Sequence, residues 1–205
     1  MKVKICGLLD GDNIREVEYL KPDMVGFICW PGSKRFVGTR PSYLPQVERV
    51  GVFVNPTLTE INEVIERLGL NRLQLHGDES PHFCRTVRNQ TGLPIIKVLP
   101  IREAEDVDKA LPYAQEGAVD LLLFDTKSSD RGGSGCQFDW KVLQRYTEKK
   151  PFLLSGGIGP DDAERVLGFQ HPAMAGIDIN SRFETAPGIK DIEKLKTFLS
   201  RIRKQ

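Results

Sequence analysis

The sequence predicts an α/β fold, namely a single-domain (β/α)8 TIM barrel with eight parallel strands over residues 1–205, on three observations. Short apolar runs alternate eight times with amphipathic, charge-rich stretches, and strands separated by helices must pair in parallel. The length of 205 residues lies near the lower limit for such a barrel. No GxGxxG fingerprint follows the first run, which disfavours the alternative of an open doubly wound sheet.

The strand candidates are short apolar runs that begin with VKIC and end with AGIDI. They cover residues 3–6, 24–28, 49–54, 72–75, 94–99, 119–124, 151–155 and 175–179. The helix candidates lie between and after them, at residues 13–20, 41–47, 58–68, 80–90, 103–111, 139–147, 160–167 and 189–202. Start signals precede three of these helices: Thr57 or Thr59, Ser80 with Pro81, and Pro160 followed by two acids. An internal proline opposes the helix predicted at 41–47.

The charge balance argues against partners that bind through a broad electrostatic field. With 29 basic and 28 acidic side chains the formal net charge is +1, so we expect no nucleic-acid partner and no membrane partner. The four cysteines form no CxxC pair and the first residues turn polar too soon for a signal peptide, which predicts a cytoplasmic protein with reduced thiols. Three histidines and no cluster with ligand spacing predict no metal. The pattern is compatible with a monomer or a homodimer.

A barrel of parallel strands brings the residues that follow every strand to one mouth. These residues are more polar than the strands before them. They are Cys6, Gly7, Arg35, Asn55, His76, Asp125, Ser155, Gly156, Gly157, Asp178, Asn180 and Ser181. We therefore expect them to form one site.

Two loops at this mouth predict a phosphate site. Gly156 and Gly157 stand between the seventh strand and a helix, where adjacent glycines let backbone N–H groups approach an anion. Alone, such a pair usually makes only a tight turn. Because Asn180 and Ser181 add small polar donors after the eighth strand, where barrels often bind phosphate, we expect a small phosphorylated substrate.

Cys6 and Asp125 are the candidate proton-transfer groups. A free cysteine is more often a small buried core residue, but at the mouth a thiol becomes a useful base where positive charge lowers its pKa. Asp125 follows the apolar run VDLLLF, so it either caps the next loop or faces the site. In the second case, burial would raise its pKa and make it a general acid near neutral pH.

Arg35, His76 and Asp178 are the candidate substrate-binding residues. Arg35 is either a solvated surface charge or a bidentate partner for a substrate carboxylate, and His76 either contacts substrate or is only hydrogen-bonded at a strand end. The loop at residues 126–140 is long and contains Gly132, Gly133 and Gly135. That composition predicts a mobile lid or a segment without function.

Seven motifs in order resemble the phosphoribosylanthranilate isomerase family of tryptophan biosynthesis, over essentially the whole chain. They are KICGL at 4–8, GFI with SKRFV up to 37, VGVFVN at 50–55, LQLHGDE at 73–79, LLFDT with GGSG and FDW at 122–140, LSGGI at 154–158, and GIDIN with SRFE and PGIKD at 176–191. The resemblance implies a cofactor-independent Amadori rearrangement of N-(5-phosphoribosyl)anthranilate to 1-(2-carboxyphenylamino)-1-deoxyribulose 5-phosphate. It also implies that Cys6 is the general base, that Asp125 is the general acid and that Arg35 holds the anthranilate carboxylate.

Three positions depart from the family pattern. Lys34 stands where the family commonly has proline, Asn180-Ser181-Arg182 replaces a Ser-Ser-Gly run, and Ser134 replaces a threonine. Arg182 therefore either adds a charge to the phosphate site or faces solvent.

Two other functions share the phosphate loops: a related sugar-phosphate isomerase or epimerase, and a noncatalytic barrel that senses a phosphorylated metabolite. The thiol at position 6 argues against an isomerase with acidic residues at both strand ends, as in histidine biosynthesis. The pairing of Cys6 with Asp125 argues against a sensor, because a site that only binds needs no paired base and acid.

Overall fold

The computed structural model describes residues 1–115, 117–126 and 139–203, and it contains a closed barrel of eight parallel strands. The strands are β1 (Lys2–Cys6), β2 (Met24–Ile28), β3 (Glu48–Phe53), β4 (Arg72–Leu75), β5 (Ile95–Ile101), β6 (Leu121–Thr126), β7 (Phe152–Leu154) and β8 (Met174–Ile179). They pair in chain order, and β1 closes the barrel by pairing with both β2 and β8. The predicted fold class is confirmed.

The helices are α1 (Gly11–Tyr19), α2 (Leu58–Leu68), α3 (Pro81–Thr91), α4 (Leu111–Gln115), α5 (Ala163–Gly168) and α6 (Ile192–Ile202). Shorter 3₁₀ turns cover Ala104–Ala110, Trp140–Arg145, Pro160–Asp162 and Ser181–Phe183. Between β8 and α6 the chain forms an antiparallel hairpin of β9 (Glu184–Ala186) and β10 (Ile189–Lys190). This hairpin is an addition to the repeating strand-helix pattern.

Two of the predicted helix starts carry the expected caps. The Thr57 hydroxyl accepts a hydrogen bond from the backbone N–H of Glu60, and the Glu60 carboxylate accepts one from the backbone N–H of Thr57; α2 follows directly. Ser80 caps α3 by accepting from Phe83 N, with Pro81 in the first turn. At Pro160 the chain forms a 3₁₀ turn first and reaches α-helical geometry only in α5.

The helix predicted at residues 41–47 is wrong, because β2 connects to β3 without a helix. Pro41 and Pro45 lack the N–H groups that a helix would use. The connection is instead held by Glu18 of α1, which accepts hydrogen bonds from the Tyr43 hydroxyl and from the backbone N–H of Gln46 at 2.6 Å.

Three other predicted helices differ in type or extent. The segment 139–147 is a 3₁₀ turn, and 103–111 is mostly one, with the Asp106 carboxylate accepting from the backbone N–H of Arg102 at 2.9 Å and tightening the turn. In the segment 189–202, the first two residues belong to β10. The helix α6 begins only after Asp191, whose side chain caps it by accepting from Lys194 N.

The strands separate two apolar layers. The larger layer lies between the barrel and its surrounding helices, and a smaller one fills the barrel interior with Met24, Val50, Ile96, Val98, Leu121, Leu123 and Leu153. Because side chains alternate across a strand, residues two apart share a face. Lys4 of β1 is paired with Met24 of β2, which lies in the barrel interior, so Lys4 and Cys6 also project into the interior. The residue of β2 paired with Cys6 is Gly26, which has no side chain.

The seam where β1 meets β8 requires a glycine at position 176, and we predict that Gly176→Ala destabilises the barrel. A Cβ at Gly176 would overlap the carbonyl oxygen of Lys2 and lie 2.7 Å from its carbonyl carbon, which is backbone and cannot turn away. We expect a loss of roughly 1–3 kcal/mol or more in the free energy of unfolding, measured by urea denaturation. Gly168→Ala, where a Cβ meets nothing within 4 Å, is the matched control and should leave stability equal or slightly higher. Equal unfolding midpoints for the two variants would contradict this account of the seam.

Candidate active site

One cavity opens at the carboxyl ends of the strands, and all nine predicted site residues line it. They are Cys6, Arg35, His76, Asp125, Gly156, Gly157, Asp178, Asn180 and Ser181. Further lining residues come from the ends of β2 to β4, among them Trp30 and Gln74. Of the twelve post-strand residues expected to form one site, Gly7 and Asn55 do not line this cavity, and the others do.

A buried ion pair between β1 and β8 lies at the centre of the site. Lys4 Nζ donates to Asp178 Oδ1 at 2.9 Å, and the Lys4 side chain is fully buried. Burial by itself would lower the pKa of Lys4, but Asp178 and Cys6 hold that pKa above its ordinary value. Burial raises the pKa of Asp178 as well, and Lys4 opposes that rise. The pair thus holds a cation on β1 and an anion on β8 in fixed positions.

Cys6 is buried at the end of β1, with 4% of its surface exposed. Burial raises the pKa of the thiol above its ordinary value of 9.0, against the positive charges of Lys4 and Lys190 and a hydrogen bond to Lys4. The expected local positive charge is present, but the prediction that it lowers the pKa is wrong for the free protein, because desolvation outweighs it. Gly26 leaves room for this arrangement, since a Cβ there would lie 2.6 Å from Cys6 Sγ.

Asp125 ends β6 and carries the raised pKa that its sequence context predicts. Burial, followed by the negative charge of Asp178, raises the pKa of Asp125 to about 6, against a backbone hydrogen bond from Thr126 and a side-chain bond with Ser155. The Thr126 N–H donates to Asp125 Oδ1 at 2.9 Å. His76 Nε2 lies 3.5 Å from Asp125 Oδ2, so His76 borders the candidate acid. Near neutral pH, a part of Asp125 is therefore protonated and able to donate.

Arg35 is not a solvated surface charge. Its Nε donates to both carboxylate oxygens of Glu184, at 2.9 and 3.0 Å, and its Nη2 donates to Glu184 Oε2 at 2.6 Å. Lys190 Nζ donates to the other side of the cluster, to Glu184 Oε1 and to Asn180 Oδ1, both at 2.7 Å. Glu184 and Lys190 come from the β9–β10 hairpin.

The predicted phosphate loops lie beside each other at one end of the cavity. Gly156 and Gly157 have φ values of +92° and +69°, which side-chain-bearing residues rarely adopt. A Cβ at Gly156 would also overlap Thr126 Oγ1 and lie 2.6 Å from Thr126 N. Ser181 and the exposed Arg182 line the same cavity from the loop that follows β8.

Sequence reasoning missed four charged or polar residues of this site: Lys4, Gln74, Glu184 and Lys190. For Lys4 a signal exists, because it stands two residues before Cys6 and must share its face of β1. Gln74 stands two residues before His76 in the same way. It is buried at the cavity wall, and its Oε1 has no hydrogen-bond partner in the described part of the chain.

Most of the glycine-containing loop predicted at residues 126–140 lies outside the described residues. The predicted lid glycines Gly132, Gly133 and Gly135 lie outside the described residues, as do Ser134 and Cys136.

Cys29 and Cys84 are free thiols like Cys6. Within residues 1–115, 117–126 and 139–203, no group of three acidic, histidine or cysteine side chains is arranged to hold a metal ion, and no helix is long and apolar enough to cross a membrane.

Comparison with known proteins matches this chain to one family. The family model for N-(5'phosphoribosyl)anthranilate (PRA) isomerase matches residues 3–201. A similar relative is N-(5'-phosphoribosyl)anthranilate isomerase of Parabacteroides distasonis, which is 46% identical over 209 residues that cover 98% of this chain and 93% of the relative.

Two solved structures are similar over nearly their whole length. Phosphoribosyl anthranilate isomerase from Thermus thermophilus superposes with a TM-score of 0.84 at 30% identity, covering 98% of both chains. Phosphoribosyl anthranilate isomerase in complex with reduced 1-(o-carboxyphenylamino)-1-deoxyribulose 5-phosphate gives a TM-score of 0.79 at 27% identity and covers 100% of both chains. The chain belongs to the N-(5'-phosphoribosyl)anthranilate isomerase family of tryptophan biosynthesis.

Proposed function

We propose that this chain isomerises N-(5-phosphoribosyl)anthranilate to 1-(2-carboxyphenylamino)-1-deoxyribulose 5-phosphate in the cytoplasm, without a cofactor, with Cys6 as general base and Asp125 as general acid. The observation that carries the proposal is that these two side chains, from β1 and β6, line one cavity that also contains two phosphate-type loops and a buried arginine. The family supplies the reaction, and the geometry supports the roles.

The first step uses Asp125 in its neutral form. Its carboxyl donates a proton to the ribose ring oxygen, the ring opens, and the nitrogen lone pair forms an iminium ion. A carboxyl group with a pKa of about 6 is partly protonated at neutral pH and still acidic enough to give up its proton. His76 lies beside this acid, with its Nε2 3.5 Å from Asp125 Oδ2.

The second step uses Cys6 as a thiolate. The iminium nitrogen acidifies the proton on C2, the thiolate removes it, and the resulting enolamine tautomerises to the ketone product. Lys4 hydrogen-bonds the sulfur and supplies a positive charge at the moment when the thiolate must exist. Asp178 fixes Lys4 in place and reaches the same cavity, where we assign it to substrate binding.

The reaction needs a neutral Asp125 carboxyl group and a Cys6 thiolate. At neutral pH the pKa values of the two groups favour the reverse, a carboxylate and a thiol. With the pKa of Asp125 near 6 and that of Cys6 above 9.0, the form with a neutral acid and a charged base is a minor species. The reactive form is therefore a small fraction of the free enzyme.

Arg35 is assigned to the anthranilate carboxylate, and Gly156, Gly157, Asn180 and Ser181 to the phosphate. Arg35 is largely buried and lines the cavity, and a Cβ placed at Gly7, the neighbour of Cys6, would lie 2.8 Å from Arg35 Cδ. The glycine loop supplies backbone N–H groups, and Arg182 supplies a cation at the same end of the cavity. The substrate's two anionic groups therefore have separate receptors.

Loss of either catalyst should reduce turnover without abolishing binding. We expect Cys6→Ala and Asp125→Asn each to lower kcat by roughly 10²–10⁴-fold, because each removes one proton-transfer group. Turnover is followed by the loss of fluorescence of freshly generated phosphoribosylanthranilate. Cys84→Ala, outside the cavity, and Asp12→Asn, on the exposed face of α1, are the matched controls and should retain turnover. Near-normal turnover of either site variant would rule out its assignment.

The pH dependence should report the pKa of Asp125. Below about pH 6, kcat/KM should rise about tenfold per unit as Cys6 deprotonates; above it, the rise should stop, because the gain in thiolate is cancelled by the loss of neutral Asp125. Asp178→Asn removes the negative charge that raises the pKa of Asp125 and leaves Lys4 uncompensated, so the inflection should move to lower pH.

The substrate phosphate also titrates near pH 6, but it does so identically with both enzymes. The difference between the wild type and Asp178→Asn therefore belongs to the protein. An inflection that stays in place or moves to higher pH in Asp178→Asn would contradict the coupling of the two carboxyl groups.

Arg182 should strengthen phosphate binding. We expect Arg182→Ala to raise the inhibition constant of inorganic phosphate by about 3- to 10-fold, and Arg182→Lys to restore part of that loss, because a charge-assisted contact to phosphate is replaced. Arg201→Ala, a partly exposed arginine of α6, is the control. If the inhibition constant is the same for Arg182→Ala and the wild type, Arg182 only faces solvent.

A further inference from the structure

We infer that Glu184 and Lys190, the charged residues of the β9–β10 hairpin, are positioning residues that direct the Arg35 guanidinium toward the aryl carboxylate of the substrate. The inference rests on the proposed function and concerns how this chain selects a carboxylated aryl group. Glu184 touches no part of the proposed reaction centre. It acts through Arg35.

Glu184 occupies one edge of the Arg35 guanidinium and leaves another edge open. The Nε and Nη2 atoms are both bound to the Glu184 carboxylate. A guanidinium is planar and its five N–H groups are fixed in direction, so Nη1 and the outer hydrogen of Nη2 form the remaining fork. Among the described residues, nothing accepts from Nη1. Because Arg35 lines the cavity, this fork suits a second, bidentate carboxylate.

The cluster of Arg35, Glu184 and Lys190 has two positive side chains and one negative side chain. Arg35 and Lys190 are the cations and Glu184 is the anion between them; the side chains of Lys190 and Glu184 are 0% and 5% exposed. Burial lowers the pKa of Lys190, and the charge and hydrogen bond of Glu184 oppose that fall. Burial would raise the pKa of Glu184, but hydrogen bonds and charge from Arg35 and Lys190 hold it below its ordinary value, so Glu184 stays ionised. An incoming carboxylate would neutralise a buried net charge of +1.

Lys190 allows Glu184 to hold Arg35 without repelling the substrate. Its ammonium group donates to Glu184 Oε1 on the side away from the Nη2 bond, and also to Asn180 Oδ1. With Arg35 alone, the carboxylates of Glu184 and substrate would share a single cation. With Lys190 present, each carboxylate has a cation of its own.

The hairpin is anchored to the first helix, which makes the arrangement rigid. The buried Asn13 of α1 binds the main chain of Lys190 twice: Asn13 Nδ2 donates to Lys190 O at 2.9 Å, and Lys190 N donates to Asn13 Oδ1 at 2.7 Å. Gly188 N donates to Glu184 Oε1 at 3.2 Å. A guanidinium held this way loses little further freedom when it binds a ligand.

The experiment measures binding of two probes by calorimetry. The first is reduced 1-(o-carboxyphenylamino)-1-deoxyribulose 5-phosphate, and the second is the same compound without the aryl carboxyl group. For Glu184→Gln we expect the affinity for the first probe to fall about 10- to 100-fold, and the affinity for the second probe to fall less than about threefold. Charge alone predicts the opposite sign, since removing a negative charge from the cluster would strengthen binding of an anion.

Two further variants keep the test decisive. Glu184→Asp retains the charge but shortens the reach by one methylene, so it should also lose the carboxylated probe selectively, and it serves if Glu184→Gln does not fold. Glu193→Gln makes the same charge change on the exposed face of α6 and should bind both probes as the wild type does.

The inference is overturned if folded Glu184 variants bind the carboxylated probe as tightly as the wild type does. It is overturned as well if their affinity for both probes falls by the same factor. It is also overturned if the wild type binds both probes with the same affinity, because Arg35 then receives no carboxylate. A wild-type chain that binds neither probe would overturn the proposed function, and this inference with it.

Discussion

The ion pair between Lys4 and Asp178 is the interaction on which the site depends. It joins β1 to β8, where the barrel closes, and it places opposite charges next to the two candidate catalysts. The Lys4 ammonium opposes the burial that raises the pKa of Cys6, while the Asp178 carboxylate adds to the burial that raises the pKa of Asp125. A buried pair contributes little net stability once desolvation is counted, so its value to this protein lies in fixing the two charges.

The barrel interior changes from apolar to polar residues toward the mouth, and this polar layer provides the charges. Apolar side chains fill the lower barrel, whereas the upper interior positions carry lysine, cysteine and aspartate. Gly26 and Gly156 allow the close approaches that this upper layer requires, the first beneath Cys6 and the second against Thr126. The β9–β10 hairpin then covers one side of the mouth with a second ionic cluster around Arg35. The structure therefore has two ionic groups at this mouth, one beside the candidate proton-transfer residues and one around Arg35.

Much of this was predictable from the sequence, because a parallel barrel converts chain order into position. The apolar runs define the strands, and their ends place Cys6 and Asp125 in one cavity without any knowledge of tertiary contacts. Glu184 and Lys190 were not predictable, since a charged residue in a polar loop reads as solvated until its partner is known. The helix at 41–47 failed because spacing of apolar residues cannot reveal that Glu18 replaces the helical hydrogen bonds.

The most direct test is an NMR titration of the aspartate carboxyl carbons of the free protein, with Asp125→Asn used to assign the signal of Asp125. This carboxyl group should lose its proton near pH 6, because partial burial and the negative charge of the Asp178 carboxylate raise its pKa. A midpoint near the ordinary aspartate pKa of 3.8 would mean that Asp125 is ionised at neutral pH, and the proposed acid step would have no proton to give.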